Sequence, residues 1–310
     1  MKSAALLSLS CVAFSLLTGC KPGASSPSPD SEPARSKPLV LASNTPLSYF
    51  ASRIGGDLID ASYPGPADED PAFWEPSDQD AARLQSADLI LLNGATYEKW
   101  LDHVTLAASK LIDTSAIFED AYLDSGHSET HSHGPEGDHS HAGTAFTTWI
   151  DFQLAKAQST QVHQALVKQL ADQNAALATG LQSLTADLDA LDERMTAVAK
   201  RIGSQPLVAS HPVYQYWANR YKLNVKAVLW EPEVVPGDDQ MKALQEIVAS
   251  HPAKWMIWEG DPDPASVSKL KAIGIESLVF DPCGGPAEEG DWLTVMRSNL
   301  ETLEAAFPAP

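Results

Sequence analysis

Eight apolar residues, Leu177, Leu181, Leu184, Leu188, Leu191, Met195, Val198 and Ile202, recur at spacings of 4, 3, 4, 3, 4, 3 and 4. That alternation lays a single apolar stripe along one face of an α-helix. The helix it predicts is about 26 residues or more in length, roughly 39 Å at the usual rise per residue. A rod of that length spans a whole domain. The spacing by itself suits a coiled-coil seam between two chains as well as a helix packed inside one chain. The flanking segments favour the second.

Short apolar runs lie on both sides of the rod: Leu39-Val40-Leu41, Leu89-Ile90-Leu91-Leu92, Leu207-Val208-Ala209, Val225 to Trp230, Trp255-Met256-Ile257-Trp258 and Ser277-Leu278-Val279-Phe280. Each is too short for a helix and is continuous where a half-buried strand would alternate, as expected of strands covered on both faces. Helical patterns separate them, such as Met241, Leu244, Ile247 and Val248, then Val267, Leu270 and Ile273. Strand and helix therefore alternate, which predicts an α/β fold with mostly parallel sheets. The expected organisation is an N-terminal α/β lobe over 39–152, a helical segment with the linking helix over 153–202, and a C-terminal α/β lobe over 203–310. Two (βα) lobes joined by one rigid helix leave a cleft between them. Strand ends and helix starts converge there, making it the expected ligand site.

The first residues read as an export signal. Lys2 gives the positive start, an apolar stretch runs from Ala4 to Leu17, and Leu17-Thr18-Gly19-Cys20 places small residues before a cysteine. This predicts a lipoprotein leader over 1–19, with Cys20 carrying the lipid. An ordinary cleaved leader is the other reading; the apolar run, at roughly 14 residues, falls short of the about 20 needed to cross a bilayer. Lys21 to Pro38 contains no large apolar residue to bury, so 20–38 is expected to be a disordered tether. The folded part is then exported and lipid-anchored to a bacterial membrane, on its periplasmic or extracytoplasmic face.

The chain carries 21 basic and 41 acidic side chains, a net charge of -20. Nucleic acid is an improbable partner for such a balance, because it is bound through clustered Lys and Arg. The charge fits a protein that meets cations, although acidic surfaces also serve solubility. Of three cysteines, Cys11 leaves with the leader and Cys20 is acylated, so Cys283 remains alone and no internal disulfide is expected. Burial must supply the stability, and about 270 residues suffice for two proper cores.

Five histidines, His127, His131, His133, His139 and His141, fall within fifteen residues together with Glu129, Glu136 and Asp138. The stretch is rich in Ser and Gly, so a flexible His-rich loop over 126–143 is expected. Neutral imidazoles suit zinc, copper and nickel. The loop reads as a low-affinity metal collector or sensor, or else as a solvated insert with no specific task.

Several motifs, taken in order, resemble a known family. They are Ile54-Gly55-Gly56-Asp57, Asp70-Pro71 followed by Trp74-Glu75-Pro76-Ser77, Ala87-Asp88-Leu89-Ile90 leading to Asn93-Gly94, and Glu98-Lys99-Trp100-Leu101. Trp149-Ile150-Asp151, His211-Pro212-Val213-Tyr214-Gln215-Tyr216-Trp217-Ala218 and Asp281-Pro282 continue the series. Over 39 to 307 the chain is similar to the zinc and manganese solute-binding proteins of ABC importers. The resemblance implies a divalent metal in the cleft, zinc first and manganese second, held by histidines and acids, and delivery to an ABC permease and its ATPase by a monomeric receptor.

The same resemblance implies four metal ligands, of which His211 and Asp281 match. Ala72 and Thr147 stand where histidines are expected. A zinc ion takes four N, S or O ligands, or three plus water, so His211 and Asp281 alone predict weak binding unless other residues complete the site. His139 and His141, eight and six residues before Thr147, are within reach of an extended chain. Glu259 follows the strand Trp255 to Trp258, where ligands gather. Asp70, Glu75 and Cys283 are further candidates. Trp74, Tyr214, Tyr216 and Trp217 read as core or cleft wall, and His103, His163 and His251 as surface or helix-face residues.

No H-E-x-x-H motif, nucleophile elbow or phosphate loop is evident. The chain is therefore read as a receptor that catalyses nothing. The alternative reading is an accessory metal carrier, an adhesin-like surface lipoprotein or a receptor for a metal chelate.

Overall fold

In the computed structural model of the protein, residues 37–132 and 138–309 are described, with the backbone alone at 127–132 and 138–142. The expected leader, Cys20, the tether through residue 36 and His133 lie outside the described residues.

Two parallel four-stranded sheets form from the apolar runs. In the first, β1 (Leu39–Ala42), β2 (Asp60–Ser62), β3 (Leu89–Leu92) and β4 (Leu111–Asp113) take the order β2-β1-β3-β4. The second contains β7 (Pro206–Ala209), β8 (Asn224–Ala227), β9 (Trp255–Trp258) and β10 (Glu276–Val279) in the order β10-β9-β7-β8. The most apolar runs occupy the centres of the sheets, where both faces are covered. β2 and β4, not anticipated in the sequence, are three-residue edge strands that are only partly buried, so no apolar run marks them. The run Val225 to Trp230 is a strand only to Ala227. Its last three residues climb over β7, with Val228 N–H donating to Ala209 O (2.9 Å) and Trp230 N–H to Ser210 O (2.8 Å).

Helices connect these strands. α1 (Thr45–Gly55) starts at Asn44, whose side chain accepts from Leu47 N–H at 3.0 Å, and α2 (Asp78–Ser86) starts with a Ser77/Asp80 capping box. α3 (Phe152–Gln169) is capped by Asp151. In the second lobe α5 (Gln215–Tyr221), α6 (Asp238–Ser250), α7 (Pro264–Ala272) and α8 (Trp292–Ala306) alternate with the strands.

The leucine stripe folds as α4 (Asn174–Ile202), 29 residues and so about 44 Å long. Leu177, Leu184, Leu188, Leu191, Met195, Val198 and Ile202 are buried, and Leu181 packs on the same core. α4 lies against α1 and α3 of the first half and α8 and α5 of the second. The stripe is thus consumed inside the chain, which leaves no seam for a coiled-coil partner. Among the described residues no helix is long and apolar enough to cross a membrane.

The expected flexible loop over 126–143 is a correction. β5 (Asp124–Ser132) and β6 (Asp138–Thr144) pair as an antiparallel ribbon, with Glu129 opposite His141 and His131 opposite His139. The composition suggested a loop, but His127, Glu129 and His131, and again His139 and His141, fall on every second residue, which is the period of a strand.

Candidate metal centre

Four polar residues follow the four strands of the second sheet. Asp281 lies beyond β10, Glu259 directly after β9, His211 beyond β7, and Glu231 after the climbing tail of β8. Their order across the sheet is that of the strands, so residues far apart in the chain meet at one edge. Parallel strands present their carboxyl ends on the same side, where helix starts also converge.

His211 is fixed by its neighbours. Ser210 N–H donates to Ile257 O (2.8 Å), and Val213 N–H to His211 O (3.0 Å). Its Nδ1 is closed off from solvent and makes no hydrogen bond, though Glu259 Oε1 stands 3.4 Å and Glu231 Oε1 3.7 Å away. A buried polar atom without a partner needs an explanation. His211, Glu231 and Glu259 each offer a ligand atom within 4.8 Å of the others'. A cation among them would satisfy the unpaired nitrogen and both carboxylates together. The two acidic loops hold each other, since Asp263 N–H donates to Pro232 O (2.9 Å).

Burial, and then the negative charges of Glu231, Asp70, Asp281 and Glu233, push the Glu259 carboxyl up to about 8. Burial likewise raises Asp281, against the Cys283 N–H that donates to its Oδ1 at 2.6 Å. Crowded, desolvated carboxylates await a positive charge. Asp281 bears on Glu259 through its charge but is not among the three groups that converge. Its backbone is pinned by Asn299 of α8, which accepts from Asp281 N–H (3.0 Å) and donates to Asp281 O (2.7 Å).

The first lobe contributes no donor at the two positions where histidines were expected. Ala72 is buried in the apolar core. Thr147 is buried and its hydroxyl donates to Val213 O. Behind it, buried Asn93 donates to Phe146 O (2.9 Å), and Gln158 donates to Asn93 Oδ1 (3.1 Å) and Thr114 Oγ1 (3.0 Å), which locks the segment. Asp70 accepts from Ala72 N–H (2.9 Å) and stands near enough to Glu259 to raise it, while Glu75 is exposed and outside the group.

Other candidates sort as follows. Cys283 is buried, and burial pushes its thiol up to about 12, so the thiolate a metal needs is disfavoured. Trp74, Tyr214, Tyr216 and Trp217 are buried, as core or wall; the Tyr214 hydroxyl donates to Phe280 O (2.7 Å), just behind Asp281. His103 is exposed and His163 half-buried. His251 is a correction: it is buried at the end of α6, with Nε2 2.8 Å from Leu207 O. Of the two readings, surface or helix-face, the surface one fails there because the helix end packs on the sheet.

Glu231 was not singled out in the sequence. The signal that picked Glu259, an acid closing an apolar run, applies equally to Trp230-Glu231.

The profile of the family described as "Zinc-uptake complex component A periplasmic" (ZnuA) matches residues 40–306. The metal ABC transporter substrate-binding lipoprotein SsaB of Streptococcus sanguinis is 27% identical, with 98% of each chain covered. The high-affinity zinc uptake system protein ZnuA of Bacillus subtilis is 25% identical over 94% of this chain and 93% of its own. Some relatives are longer, and the chain spans 56% of the zinc-binding protein AdcA of Streptococcus pyogenes. Among solved structures, the metal-dependent lipoprotein YcdH of Bacillus subtilis superposes with a TM-score of 0.74 at 21% identity, over 87% of this chain and 98% of that one. With a profile match over nearly the whole folded part and the two-lobed fold in common, this chain belongs to the ZnuA family of zinc-uptake components.

Proposed function

We propose that the chain is the solute receptor of an ABC importer, capturing a divalent metal, zinc first and manganese second, at the carboxyl ends of β7, β8 and β9. The unpaired, buried Nδ1 of His211 facing Glu259 and Glu231 carries this reading. The liganding residues are His211, Glu231 and Glu259, with Asp281 adding charge beside them. One imidazole and carboxylates suit zinc and also accept manganese. A Zn(II)-bound structure of pneumococcal AdcA, 19% identical, shares the fold.

The ZnuA family is a periplasmic one, consistent with work outside the cytoplasm. In this reading Cys20 carries a lipid that keeps the receptor on the membrane as a monomer, and 20–38 tethers it. The receptor docks on a permease driven by an ATPase and performs no catalysis. The His-rich segment, with His127, His131, His133, His139 and His141, gathers metal weakly before the cleft takes it.

Zinc titration of the full chain separates these roles. With His127, His131, His133, His139 and His141 replaced by Ala, one tight ion is expected to remain. His211→Ala in that background should weaken it at least about tenfold, the equivalent of losing one ligand bond of about 1.5 kcal/mol. If the ribbon variant binds no zinc, or binds it equally well without His211, the cleft is not the site.

A further inference from the structure

His211 sits at the start of a sharp turn after β7. Ser210 N–H is held by Ile257 O (2.8 Å), and Val213 N–H folds back on His211 O (3.0 Å). Pro212, in the middle of that turn, has no N–H to give, so the turn supplies little hydrogen bonding of its own. Its remaining carbonyls are met by side chains. Gln215 Nε2 donates to Pro212 O (2.8 Å) and also to Ser125 O of the first lobe (3.0 Å), and the Thr147 hydroxyl, itself from the first lobe, donates to Val213 O.

Thr147 is held firmly enough to serve as an anchor. It is 4% exposed. On one side of it Ala145 N–H donates to Leu123 O (2.8 Å), and on the other the Thr148 hydroxyl reaches Asn93 Oδ1 (3.2 Å). The same segment also grips the neighbouring loop of the second lobe, since Trp149 Nε1–H donates to Pro282 O (2.7 Å), one residue past Asp281. A β-branched side chain has few rotamers to choose from, so a buried threonine hydroxyl fixes the carbonyl it meets. With that hydroxyl gone, the His211 turn would populate other arrangements in the empty protein. Only the fraction with the imidazole facing Glu259 and Glu231 could take the ion, and the apparent affinity would fall by that fraction.

Resting on the metal reading above, we propose that Thr147 is a positioning residue, whose hydroxyl holds the His211 turn from the first lobe and so sets the imidazole toward Glu259 and Glu231 before the ion arrives.

Zinc titration of the full chain with His127, His131, His133, His139 and His141 replaced by Ala tests this. Thr147→Val, which keeps the shape and removes the hydroxyl, is expected to weaken the tight ion about fivefold, the factor to which a net hydrogen bond of about 1 kcal/mol converts. Thr147→Ser should bring the affinity back to the parent's. In the His211→Ala background Thr147→Val should change nothing further, because the hydroxyl acts through the imidazole. Should Thr147→Val fail to fold, Thr147→Ala carries the same readings. Equal affinity with and without the hydroxyl, a Thr147→Ser as weak as Thr147→Val, or the same loss whether or not His211 is present overturns the inference while leaving the metal centre standing. A parent protein that binds no zinc overturns the metal reading and this inference with it.

Discussion

Glu259 shows how one residue reports on the site. Its carboxyl is pushed up to about 8 by burial and by the acids around it, so the folded chain without metal holds a proton that an unfolded chain releases near the ordinary carboxylate value. The folded state then binds more protons than the unfolded one between about pH 4.5 and 8. Stability is consequently lost as pH rises through that window, by at most about 1.4 kcal/mol per pH unit for one group. Glu98, buried and accepting from Asn93 N–H (2.5 Å) and Gly94 N–H (3.1 Å), is pushed up to about 7 and acts in the same direction. The difference between the wild type and Glu259→Gln therefore isolates the site. In EDTA, the fall in Tm from pH 5.5 to pH 8 should be smaller in Glu259→Gln; equal slopes would contradict the assignment. A bound cation displaces the proton, so zinc affinity should rise over the same interval.

At the scale of elements, α4 gains its place by packing and not by propensity. Gly180 sits inside this helix, where alanine would ordinarily add about 1 kcal/mol. A Cβ there, however, would stand 2.5 Å from Ile54 O and 2.8 Å from Arg53 O, the backbone at the end of α1. Backbone cannot yield as a side chain would, and overpacking costs about 1–3 kcal/mol. Gly180→Ala is accordingly expected to lower stability in urea unfolding, by about 1 kcal/mol net. A gain in stability would show that α1 and α4 are not in the close contact described. The same junction is tied by charge. Asp187 of α4 accepts from Arg53 of α1 (2.7 Å) and from Arg297 of α8 (3.0 Å), so one carboxylate grips helices of both lobes.

For the whole molecule, each sheet has a small cluster of its own on one face, about Trp258 and Leu244 in the second lobe and about Trp74 and Ile90 in the first, but the largest core is shared between them. One apolar cluster runs from Val40, Leu47 and Phe50 through the stripe of α4 to Leu207, Ile257 and Phe280. Contacts across the lobes reinforce it, with Trp149 Nε1–H donating to Pro282 O (2.7 Å) and Thr45 N–H to Gly284 O (2.9 Å). Losing either lobe would expose the apolar face of α4 and of the other. Unfolding without metal is therefore expected as one transition, with far-UV and near-UV circular dichroism coinciding and calorimetric and van't Hoff enthalpies equal. Two resolved transitions would mean that the lobes fold independently on the rod.

The sequence by itself determined the rod and most of the strands, because their signals are local: a 3–4 spacing over Leu177 to Ile202, and uninterrupted apolar runs that must be covered on both faces. It also marked Glu259, since a polar residue closing such a run lies at a strand end, while His211 and Asp281 were marked by the resemblance to the metal receptors. Only the tertiary structure decided which strand ends are neighbours. Chain order is His211, Glu231, Glu259, Asp281, whereas the sheet order β10-β9-β7-β8 sets Glu259 and Glu231 on either side of His211. That order is fixed by hydrogen bonds between strands tens of residues apart and by the burial they share, and no window of sequence contains it. The same holds for Thr147, whose residue type left its role open until the fold spent its hydroxyl on Val213.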